Sequence, residues 1–70
     1  MSYQISDITH PNGLWWIVES KETLDGPSEF ELIHLPTRNE GGCGSQGVFS
    51  SMFDAQMESA LIELGRKELA

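Results

Sequence analysis

The sequence predicts an α+β domain: a small antiparallel sheet of three to four strands in β-β-β-α order, packed by one C-terminal amphipathic helix. Asn12-Gly13 lies between two apolar segments, the strongest short-range cue for a hairpin. Residues 29–35 alternate along a strand, with Phe30, Leu32 and His34 on one face and Glu31, Ile33 and Leu35 on the other. Phe53, Met57, Ala60, Leu61 and Leu64 recur at helical spacing, which places them on one side of a helix. That stripe is expected to face the core, and the strands upstream need such a surface to pack on.

The first strand is read over Tyr3 to Ile8, where Tyr3 and Ile5 alternate with Gln4 and Ser6. Pro11 fixes φ near −65° and Asn12-Gly13 tolerates positive φ, so the chain reverses there. Leu14 to Glu19 forms the second strand, apolar on both faces. Asp25-Gly26-Pro27 makes the next turn, and Glu29 to Leu35 the third strand, which Pro36 ends. Residues 37–47 hold four of the seven glycines and no large apolar residue, so a flexible loop is expected. Val48-Phe49 reads as a short fourth strand or as the lead into the helix. The helix is expected over 51–64, with Ser51 as N-cap, Asp54 completing a capping box, and Gly65 as the stop.

Seventy residues make a single small domain, 1–70, which buries only about 60% of its unfolded surface. Domains this small often rely on disulfides, a metal or self-association. One cysteine, Cys43, excludes an internal disulfide, and neither His10 nor His34 has metal-ligand spacing to it or to the other. Eleven acidic against four basic residues give a formal net charge of −7. That balance argues against direct binding to nucleic acid or anionic lipid and favours a protein partner with a basic surface. The first eight residues lack the basic and apolar regions of a signal peptide, and no apolar run is long enough to span a bilayer. A cytoplasmic protein is the expectation.

Gly42, Gly44 and Gly47 spell G-x-G-x-x-G, but no second parallel strand follows on which a dinucleotide-binding unit could close. The reading is therefore no cofactor, no metal and no catalytic residue; Cys43 lies among glycines with no rigid frame for a base or an oxyanion hole.

Binding is carried by three groups of candidates. Trp15 and Trp16 point to opposite faces of the second strand, so one anchors the core and the other is left for a loop or a partner. Glu19, Glu22, Asp25, Glu29 and Glu31 cluster about the second hairpin and are expected to form a negative surface. Ala55, Ile62 and Leu69 repeat every seven residues on the side of the helix opposite Phe53, as a second seam. The expected function is a non-enzymatic acidic protein-binding module; the alternative is a homodimeric accessory or structural protein. In size, charge and lack of motifs the chain is similar to the short accessory proteins of phages and mobile elements. That likeness suggests an anti-CRISPR or other anti-defence inhibitor blocking a nucleic-acid-handling partner.

Overall fold

The computed structural model describes residues 2–70. Its four strands form one antiparallel sheet in the order β1 (Tyr3–Thr9), β2 (Trp15–Lys21), β3 (Ser28–His34) and β4 (Ser45–Phe49). A short helix α1 (Leu35–Asn39) lies between β3 and β4, and the C-terminal helix α2 (Met52–Glu63) packs on one face of the sheet. The fold is α+β, as the sequence predicts.

The first hairpin closes where Asn12-Gly13 places it. The His10 N–H donates to Trp15 O at 2.9 Å, the Gly13 N–H donates to His10 O at 2.9 Å, and the Asn12 side chain accepts from the Leu14 N–H. Gly13, at φ 75°, supplies the left-handed conformation the turn needs. In the second hairpin the Gly26 N–H donates to Thr23 O, and β2 and β3 then pair from Lys21–Ser28 to Trp15–His34 without a break.

Residues 37–47 depart from the expected loop. Pro36 ends β3 by opening α1 in its first turn, a position where its missing N–H costs nothing. The glycine-rich stretch then narrows to a tight connection into β4, which begins at Ser45, three residues before the expected strand. Gly44 is the residue this connection requires. Its φ is 75°, its carbonyl accepts from the His34 N–H at 2.8 Å, and a Cβ there would sit 2.7 Å from His34 O.

On the α2 side of the sheet, Trp15, Ile17 and Leu32 pack against Ala55, with Phe30, Phe49, Met52 and Ile62 around them. Helix α2 is therefore rotated by about half a turn from the expected orientation. Ala55 is wholly buried, whereas Phe53 is 59% exposed, Met57 47% and Leu64 72%; Ala60 is exposed as well, and Leu61 is half-buried. The reason is volume. Trp15, Phe30 and Phe49 already fill the space above the sheet, so the helix makes its closest approach through a small residue, Ala55, with Met52 and Ile62 beside it. Its ends match the sequence signals. The Ser51 hydroxyl accepts from the Asp54 N–H at 3.1 Å, and past Gly65 the Arg66 N–H donates back to Leu61 O.

Candidate functional site

Three surfaces remain after the core is closed, and each follows from how the sheet seats α2.

The first is the outer face of α2. Phe53, Met57, Ala60 and Leu64 lie along it, the stripe expected to close the core. Asp54 and Glu63 border it; α2 carries three acidic side chains and no basic one. Glu58 is the third acid and pairs with Lys67 at 2.8 Å. Apolar residues thus occupy both sides of this helix. One set meets Trp15, Leu32 and Phe49, and the other meets solvent.

The expected second seam of Ala55, Ile62 and Leu69 does not exist as a surface. Ala55 and Ile62 are the inward residues of α2, and Leu69 lies beyond Gly65 in the C-terminal tail. That tail turns back to β4, where the Ala70 N–H donates to the buried Gln46 side chain at 2.7 Å.

The second surface is the open face of the sheet. Trp15 is the core tryptophan; its ring meets His34 at a centroid distance of 4.9 Å, and its Nε1–H donates to Glu63 Oε1 at 2.7 Å. Trp16 lies on the opposite face, half-buried, with the Arg38 guanidinium 4.8 Å above its ring. That cation–π contact is the intramolecular cover for the second tryptophan, and it depends on α1, which the sequence reading did not include.

The acids of the second hairpin divide between the two faces instead of forming one surface. Alternation along antiparallel strands places Glu19 on the α2 side, and Glu29 and Glu31 on the open side. Glu22 and Asp25 are exposed in the turn. Glu31 accepts from the Ser45 hydroxyl at 2.9 Å. Glu19 accepts from the Ser28 and Ser6 hydroxyls, and these two hydrogen bonds, with Lys21 nearby, hold its carboxyl below the usual range.

The third surface is a cleft of about 180 Å³ at the turn end of the first hairpin, lined by Ile8, His10, Pro11, Trp15 and Ile17 from the sheet and by Gln56 and Ser59 from α2. It exists because α2 packs on β3, β4 and β2, leaving β1 largely outside its footprint. Glu63 ties the helix to the mouth of this hairpin, since Oε1 also accepts from Asn12 Nδ2 at 3.0 Å.

Of the groups weighed for chemistry, His10 lines the cleft, while Cys43 and His34 lie outside its lining. Cys43 is exposed in the α1–β4 connection. His34 is half-buried, its Nδ1 2.8 Å from the Thr37 hydroxyl and its ring against Trp15. Among the described residues no cluster of three His, Cys, Asp or Glu converges as metal ligands, and no helix is long and apolar enough to cross a membrane.

Comparison of the chain with protein-family models, characterised proteins and solved structures finds no match.

Sequence reasoning missed Phe53, Met57 and Leu64 as surface residues, and it gave Gln56, Ser59 and Glu63 no role. One signal was legible. A helix with apolar residues on two sides has to be covered twice, and one domain of this size supplies only one cover.

Proposed function

We propose that this protein is a non-catalytic binding module that docks on another protein through the outer face of α2. The observation that carries this reading is the apolar stripe of Phe53, Met57 and Leu64, left in solvent on a helix whose other side is already packed. Contiguous exposed apolar residues rimmed by polar ones mark interaction surfaces. Asp54 and Glu63 beside the stripe, within a chain of net charge −7, favour a partner whose apolar patch is bordered by lysine or arginine. An inhibitor that occupies a nucleic-acid-handling protein is the version in which that basic border is a polyanion site; the net charge supports it. A cytoplasmic location suits a chain with one exposed thiol.

Homodimerisation through the same stripe is the second reading, favoured by a core of only five buried apolar residues among those described. Charge weighs against it, because two α2 helices face to face bring acid against acid.

Sedimentation and paired affinity capture test the proposal. The protein should sediment as a monomer at ~100 μM. A partner captured by the wild type should be lost by Met57→Glu, and its retention should fall as salt rises from ~50 to ~200 mM, where charge screening shortens. A dimer abolished by Met57→Glu would replace this reading with the homodimer. A partner retained by Met57→Glu would refute the α2 face as the docking surface.

A further inference from the structure

We propose that the cleft between the first hairpin and α2 binds a single aromatic ring, carried by a tyrosine or phenylalanine of the docked partner. The inference rests on the reading that α2 is a protein-docking helix, and it names the anchor that such a partner inserts.

Size sets the class of ligand. The cleft measures about 180 Å³, and an apolar cavity of ~150 Å³ takes up benzene. One six-membered ring with a short substituent fits.

The walls suit a flat apolar group. Ile8 and Ile17 are cross-strand partners and form the floor, with the Trp15 indole and the Pro11 ring beside them. An aromatic ring gains from offset or edge-to-face contact with an indole, beyond the area it buries. The Trp15 Nε1–H is already committed to Glu63, so the indole offers the cleft its ring and not its donor.

The polar groups are few, and they favour one acceptor on the ligand. His10 Nδ1 accepts from the Asn12 N–H at 3.1 Å, which in the neutral imidazole puts the proton on Nε2 and makes that nitrogen a donor. The Ser59 hydroxyl donates to Gln56 O at 2.7 Å, leaving only its lone pairs. A phenol oxygen is the substituent that uses a histidine donor without bringing charge.

Position ties the cleft to the docking face. Gln56 stands three residues after Phe53 and four before Ala60, so it is the neighbour of both on the helix surface. A protein seated on the stripe therefore lies one side chain away from the cleft, and a basic segment carrying an aromatic residue meets both the acidic border and the ring site.

The test uses p-cresol, the tyrosine side chain, followed by the Ile8 and Ile17 methyl signals and the Trp15 indole N–H in NMR spectra of the full chain. Saturable shifts at all three are expected, and cyclohexylmethanol should bind more weakly. Ser59→Leu, which fills the cleft with a residue helices accept, and Ile8→Ala, which removes part of the floor, should each weaken binding by ~10-fold or more. Met57→Glu should leave p-cresol binding unchanged, so a failure of the cleft and a failure of the docking face are read separately. A capped Lys-Tyr-Lys peptide should bind more tightly than p-cresol, with a gain that shrinks as salt rises. No saturable shift up to ~20 mM p-cresol, or equal affinity in Ser59→Leu, overturns the site. Equal binding of the cyclohexyl alcohol overturns its aromatic preference. Exclusion of the peptide with p-cresol still bound overturns the protein-borne ring and leaves a site for a free small phenol.

Discussion

Single residues decide more here than their share of the surface suggests. Gly44 sets the approach of α1 to β3, because any Cβ would collide with the His34 carbonyl. Through that approach it also sets the position of Arg38 over Trp16. Glu19 shows how a hydrogen-bonded carboxylate links stability to pH. Its pKa is lowered in the folded state, chiefly by the Ser28 hydroxyl and then by that of Ser6. A lowered folded pKa means a contribution present in full above the unfolded pKa and lost as pH falls through the folded one. Urea midpoints of the wild type and Glu19→Gln should therefore differ most near neutral pH and converge as acid protonates Glu19 in the folded state. A difference that grows on acidification would contradict the assignment.

At the scale of the element, α2 was legible in extent and ambiguous in rotation. Ser51, Asp54 and Gly65 mark its ends in the sequence; in the structure the Ser51 hydroxyl caps the Asp54 N–H, and Gly65 follows the last turn at φ 75°. Counting apolar residues favours the Phe53 side as the core face, because that stripe is the wider one. Packing chose the other, since a sheet bearing Trp15, Phe30 and Phe49 needs small residues opposite. The two orientations differ in a measurable way. Met57→Glu should change unfolding free energy by no more than ~0.5 kcal/mol, as at ordinary surface positions. Ala55→Leu should cost ~1–3 kcal/mol by overpacking a site with no spare volume. Denaturant titration of the two variants checks both, and the opposite order would restore the Phe53 stripe to the core.

Over the whole molecule, charge is the dominant unbalanced quantity. Against a net charge of −7 the described residues form one ion pair, Glu58 with Lys67. Like charges on a compact body repel, and added salt shortens their reach from ~10 Å at 0.1 M to ~3 Å at 1 M. The melting temperature should rise with sodium chloride over this range; a fall would show that ion pairing outweighs repulsion. The same charge sits unevenly about the possible contact surfaces. It borders the α2 stripe with Asp54 and Glu63, while β1 carries only Asp7. The basic partner we propose would accordingly be drawn to the helix before the edge strand.

The sequence by itself determined the first three strands, their turns, the ends of α2 and the opposite directions of Trp15 and Trp16, because each depends on neighbours a few residues apart. Alternation, Asn12-Gly13, Pro36 and Ser51 carry that information locally. Only the tertiary structure decided which side of α2 is buried, which tryptophan is the core one, and that Glu19 is parted from Glu29 and Glu31. The cleft beside β1 also belongs to this second group. Each of these depends on the volume and direction of side chains brought together from distant strands, and spacing along the chain does not record how much room the opposite layer leaves.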